Sequence, residues 1–171
     1  DGNIYGYDEL GQAYRFNPVT GECVALGIAT GVQVLDMAYD YSTGMMYAMS
    51  YDAATNATII YNANMYTGAL VESGKAYDAF IALACDTDGQ LYAINSGGIL
   101  FSLKKVKGNP GGGGIAPLAT QNDNNQYYYD QTELLELPVY GMVYAQSMCY
   151  DHNNDVILCF TPETSQIYWV K

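Results

Sequence analysis

Basic side chains are scarce: six Lys and Arg stand against eighteen Asp and Glu, for a formal net charge of −12. Three of the six are packed into Lys104, Lys105 and Lys107, so the remaining surface is almost purely anionic. Such a surface repels a phosphate backbone and anionic lipid, which argues against nucleic acid and membrane-surface partners. Histidine is scarcer still. His152 stands alone, which leaves no paired-imidazole metal site and no obvious histidine acid–base relay. Its polar neighbours read as an exposed turn. No apolar run approaches the roughly 20 residues of a membrane-spanning helix, so membrane insertion is not expected. The four cysteines form no C-x-x-C pair, and zinc is not suggested. The nucleophile elbow G-x-S-x-G, the phosphate loop G-x-x-x-x-G-K and the metalloprotease H-E-x-x-H are all absent. The run Gly111–Gly114 follows Asn109-Pro110 with no helix signal behind it, so it reads as a linker and not as a phosphate cradle.

Apolar residues make up 50% of the 171, enough for one domain with a core. Tyrosine is abundant, with 18 copies against four Phe and the single Trp169. A tyrosine ring suits the half-buried surface of a strand while its hydroxyl tolerates water. A Tyr- and Gly-rich, Lys-poor composition fits a secreted or surface-displayed β-protein. The chain opens at Asp1 with strand-like sequence by residue 3, which reads as a domain excised from a longer parent.

One phrase recurs. Residues 37–48 read Met-Ala-Tyr-Asp-Tyr-Ser-Thr-Gly-Met-Met-Tyr-Ala, residues 83–93 read Leu-Ala-Cys-Asp-Thr-Asp-Gly-Gln-Leu-Tyr-Ala, and residues 148–159 read Met-Cys-Tyr-Asp-His-Asn-Asn-Asp-Val-Ile-Leu-Cys. Each is an apolar strand, an Asp, a polar turn and a second apolar strand. Asp40 to Asp86 is 46 residues; Asp86 to Asp151 is 65, which leaves an insertion of about 20. Third strands follow at 57–62, 98–103 and 166–170, and weaker fourth strands at 69–73 and 115–120. The N-terminal segment fits with its opening strand missing: 3–7, 12–16 and 22–26 match second, third and fourth strands. Asn17-Pro-Val-Thr-Gly21 parallels Asn64-Met-Tyr-Thr-Gly68 there. About fourteen strands result, grouped three, four, four and three. Short strands split by Gly, Asn, Asp and Thr turns predict an all-β chain. A period near 45 with four strands per repeat predicts propeller blades at about 3–30, 34–74, 80–120 and 142–170, with an insertion at about 108–141. With the first blade lacking its opening strand and the last its closing one, the blades number three and a half to four. They form part of a larger ring, associate through unpaired edges, or close compactly with 108–141 supplying a strand.

The pattern apolar-Ala-Tyr-Asp-x-x-Thr-Gly-x-apolar-Tyr-Ala, followed by an apolar strand and Asn-x-x-Thr-Gly, resembles the propeller repeats of bacterial surface proteins. These repeats share the design of YVTN and WD-type propellers and are often linked to Ig-like domains. The WD dipeptide itself is absent. The resemblance spans the chain except about 108–141. It implies an extracellular or cell-surface location and leaves the activity open.

Asp40, Asp86 and Asp151 each end a first strand, where a carboxylate caps turn amides. A second reading makes Asp86, Asp88, Asp151 and Asp155 oxygen ligands for calcium, although the closing Glu of a calcium loop is missing: its place falls on Gly97. If Asp151 pairs with Ile157, Cys149 faces Cys159 across two strands, as two buried thiols or as a disulfide. The insertion sets Tyr127, Tyr128 and Tyr129 beside a polar run, either as aromatics for sugar stacking or protein contact or as rings packed back on a blade. These features favour a non-catalytic binding module for a protein or glycan. A carbohydrate hydrolase or lyase using carboxylates from several blades, and a structural or oligomerising spacer, are the alternatives.

Overall fold

A computed structural model describes residues 2–108, 126–137, 147–161 and 165–171. They hold fourteen strands and no helix: β1 (Ile4–Tyr7), β2 (Ala13–Phe16), β3 (Cys23–Leu26), β4 (Asp36–Asp40), β5 (Met45–Asp52), β6 (Ala57–Ala63), β7 (Leu70–Ala76), β8 (Phe80–Cys85), β9 (Leu91–Asn95), β10 (Ile99–Lys107), β11 (Tyr127–Glu136), β12 (Ser147–Asp151), β13 (Val156–Thr161) and β14 (Gln166–Val170). Among the described residues the strands again fall into groups of three, four, four and three, with β11 as the fourth strand of the third group. The linker Gly111–Gly114 and the strand expected at 115–120 lie outside the described residues.

One device builds the turns. In every described hairpin an Asp or Asn opens the turn and its side-chain oxygen accepts backbone N–H groups two to four residues on. This holds for Asp8, Asn17, Asp40, Asp52, Asn64, Asp86, Asn95 and Asp151. The two Thr-Gly turns match bond for bond: Gly21 N–H donates to Asn17 O at 2.9 Å and Gly68 N–H to Asn64 O at 2.8 Å.

These turns correct the expected strand register. Asp151 pairs with Val156, not Ile157, because the turn closes after four residues on Asp155, which adopts φ 57°. Cys149 therefore faces Leu158 and Cys159 faces Met148. A one-residue slip moves a side chain to the other face of the sheet. Cys159 is buried, Cys149 is exposed, and both thiols are free. The sister hairpins shift alike: Ala48 faces Met37 and Ala93 faces Leu83.

The insertion supplies a strand, one of the arrangements the sequence left open: its residues 127–136 are the fourth strand of the third blade, paired antiparallel with β10 along its length. β11 also meets β7 in a parallel bridge, Tyr128 to Lys75, which joins the second and third blades into one eight-stranded sheet of order β4-β5-β6-β7-β11-β10-β9-β8. Gly74 permits the approach, since a Cβ there would lie 2.8 Å from Tyr127 O.

The blades stack face to face, and two clusters fill the gaps. Ala38, Met49 and Ile60 of the second blade meet Leu83, Ala93, Phe101 and Tyr129 of the third. The opposite face of the third blade, with Ala82, Ala84, Ile94 and Leu100, receives Met148, Ile157 and Cys159 of the fourth. Apart from Ile81 and Ala82, which share a cluster at a register shift in β8, residues alternate between the two clusters along β8–β10, so this blade is buried on both sides. The first blade leans on the second through Tyr7 Oη, which donates to Gly68 O at 2.9 Å, and through Ala13 against Gly68. Tyr7, Ala13 and Leu26 share one face, the one a blade starting at its second strand would turn toward its neighbour.

Candidate functional site

First strands line the inner side of the stack, where β4 packs on β8 and β8 on β12 without ladder hydrogen bonds. One cross-blade bond ties them: Leu83 N–H donates to Asp36 Oδ2 at 2.8 Å. Burial pushes the Asp36 carboxyl up to about 6, against the opposing bonds from Leu83 and Met37 N–H.

The turns after these strands nest on one another. Asp40 accepts Ser42 N–H at 2.8 Å, Ser42 Oγ at 2.7 Å and Thr43 Oγ1 at 2.5 Å. Burial raises its pKa, but these hydroxyl and amide donors outweigh it and the net shift is downward. Gly89, at φ +87°, sits on this turn: a Cβ there would lie 2.7 Å from Ser42 Oγ. The third turn rests on the second, with Thr87 Oγ1 and His152 Nδ1 sharing a 3.0 Å hydrogen bond.

His152 also packs edge-on against Tyr41 at 4.6 Å and Tyr150 at 5.0 Å between ring centroids, and Tyr41 meets Tyr39 at 4.8 Å. These four rings rim an open cleft of about 200 Å3 whose floor includes Met37, Ala84, Cys85 and Met148. Tyr150 Oη donates to Asp155, and that bond, together with burial and the Asp155 charge, drives the phenol upward. Tyr92 is pushed up to about 12 by burial and by its bond to Asp86. Cys85 is pushed up to about 12 by burial and by the charges of Asp40 and Asp86, so its thiol is not a nucleophile at neutral pH. The site therefore offers aromatic surface, hydroxyls and one imidazole on an apolar floor, a combination suited to binding.

The remaining candidates fall elsewhere. Both carboxylate oxygens of Asp86 and of Asp151 accept bonds inside their own hairpins. Among the described residues no group of three or more His, Cys, Asp or Glu side chains is gathered to hold a metal ion. Tyr127, Tyr128 and Tyr129 lie on the far rim along β11. Tyr129 is buried against Ser73, with its Oη 2.8 Å from Ser73 Oγ, while Tyr127 is exposed beneath Lys105 Nζ at 4.6 Å. Sequence reasoning missed the cleft because its residues flank the repeated Asp. Tyr41 and His152 follow it and Tyr39, Cys85 and Tyr150 precede it, and the change from Tyr41 to Thr87 to His152 after the Asp was the available signal.

No protein-family model matches the chain, and comparison with curated proteins finds no match. Solved structures do resemble it. A structural genomics protein of unknown function from Bacteroides thetaiotaomicron VPI-5482 overlays with TM-score 0.61 at 14% identity, covering 99% of this chain and 38% of that one. An auxiliary nutrient binding protein from Bacteroides ovatus ATCC 8483 overlays with TM-score 0.57 at 12% identity, covering 98% and 37%. The chain thus spans under two-fifths of each, and at these identities the likeness is one of fold. Four-stranded antiparallel blades stacked around their first strands define the class: an all-β protein of propeller type.

Proposed function

We propose that this chain is a non-catalytic binding module that takes a neutral, hydroxyl-rich ligand, a saccharide, in the cleft between Tyr39, Tyr41, Tyr150 and His152. The convergence of four rings from two blades carries this reading. Aromatic faces stack on the C–H surfaces of a sugar ring, and phenol and imidazole groups bond its hydroxyls. The net charge of −12 disfavours an anionic ligand. The nutrient-binding description of the Bacteroides ovatus neighbour supports it and fits an extracellular or cell-surface location. A hydrolase or lyase would need carboxylates aimed at the cleft, whereas Asp40, Asp86 and Asp151 face the donors of their own turns.

A neutral-glycan array followed by calorimetry tests the reading. Tyr41→Ala and His152→Ala should each weaken binding about tenfold or more. Tyr66→Ala, on an exposed turn away from the cleft, should leave it unchanged. No bound saccharide, or equal losses in all three variants, overturns it.

A further inference from the structure

Three blades meet at one imidazole. His152 belongs to the turn after β12 of the fourth blade, Thr87 to the turn after β8 of the third and Tyr41 to the turn after β4 of the second. The His152 ring lies edge-on to Tyr41 and Tyr150, and Thr87 Oγ1 meets its Nδ1 at 3.0 Å. Tyr41, Tyr150 and His152 line the cleft, whereas Thr87 reaches it only through His152. Both turns are braced. Asp86 accepts Asp88 N–H at 2.9 Å and Gln90 N–H at 2.8 Å, and Asp151 accepts Asn153 N–H at 2.9 Å and Asn154 N–H at 3.2 Å. The hydroxyl and the ring are thus held at a set distance across the blade boundary.

A neutral imidazole has one N–H and one bare nitrogen, and the bond made at one nitrogen decides the form of the other. Thr87 Oγ1 and His152 Nδ1 have only each other as hydrogen-bond partners among the described residues. Donation from the hydroxyl to a bare Nδ1 satisfies the hydroxyl proton and the ring lone pair in one bond. The reverse bond, from Nδ1–H to Oγ1, leaves the hydroxyl proton to water. The first arrangement puts the ring proton on Nε2, which bonds no described residue and is open to a ligand. Tyr150 is set in the opposite sense. Its Oη donates to Asp155, so toward a ligand that oxygen can only accept.

We propose that Thr87 is a positioning residue: it holds His152 in the Nε2–H tautomer, so that the cleft offers its saccharide a donor at His152 and an acceptor at Tyr150. The ligand rests on the saccharide reading above, and the tautomer on the Thr87–His152 geometry. A sugar hydroxyl beside a second hydroxyl or ether oxygen complements this pair, one donating to Tyr150 and the other accepting from His152.

Nitrogen NMR tests the tautomer without any ligand. His152 is the only histidine, so its two ring nitrogens are assigned without ambiguity. At alkaline pH the unaltered chain should show a protonated Nε2 and a bare Nδ1. Thr87→Val should bring the two nitrogen shifts closer together as the tautomers mix, and Thr87→Ser should keep them apart. In calorimetry with the neutral glycan selected on the array, Thr87→Val should bind about threefold to tenfold more weakly, with Thr87→Ser close to the unaltered chain. A predominant Nδ1–H form, nitrogen shifts indifferent to Thr87→Val, or undiminished glycan affinity in that variant overturns the proposal. The expected nitrogen shifts in a chain that binds no neutral glycan overturn the saccharide reading alone and leave Thr87 as the residue that sets the tautomer. Circular dichroism checks that the variants fold, and Thr87→Ala replaces Thr87→Val if the latter does not.

Discussion

The residue after each repeated aspartate differs from blade to blade, as Tyr41, Thr87 and His152, while the aspartate stays the same. The constant residue builds the turn, Tyr41 and His152 line the cleft and Thr87 bonds His152, so the repeat holds scaffold and site side by side. Asp36 is a different case, a half-buried carboxyl between two first strands and bonded to Leu83 N–H. Its folded pKa, about 6, lies above the 3.8 of the free group. A raised carboxyl contributes stability that is present below the unfolded value and is lost as pH rises through the folded one, a difference of about 3 kcal/mol between the two limits. Asp40, Asp52 and Asp151 are shifted the other way and act below pH 4. Urea unfolding should therefore show the unaltered chain gaining stability relative to Asp36→Asn as pH falls from 7 to 4. A constant difference across that window would refute ionisation of Asp36 as the cause.

At the scale of elements, β11 decides how the blades join. It completes the third blade and touches β7 of the second, and the contact depends on the missing side chain of Gly74. Inserting atoms into such a contact costs about 1–3 kcal/mol. Gly74→Val should lower stability by about that amount and expose Tyr129, whose ring carbon lies 3.2 Å from the position of that Cβ. Denaturant unfolding gives the first quantity, and hydrogen exchange along β11 the second. An unchanged midpoint would mean that the edge gives way without cost.

For the whole molecule, burial is graded from the centre outward. The six residues of β8 are all buried, whereas β1 and β14 have none buried among theirs. Local opening follows burial. Amide exchange should be slowest in β8 and β9 and fastest in β1, β3 and β14. Exchange that is uniform across the blades would contradict a stability centred on the third.

The sequence determined most of the architecture by itself. Strand number, blade grouping and the role of the Asp and Asn turns were legible because period-two burial and turn chemistry are local properties. The register was legible only to within one residue, since it depends on whether a turn closes on four residues or five, and the left-handed conformation of Asp155 is not written in its composition. The regularity of residues 127–136 was hidden as well, because that strand forms by pairing with β10 and β7 and not by its own pattern. The cleft is a tertiary product. Tyr41, Thr87 and His152 lie 46 and 65 residues apart along the chain, and only the stacking of first strands brings their turns within hydrogen-bonding and ring-contact distance.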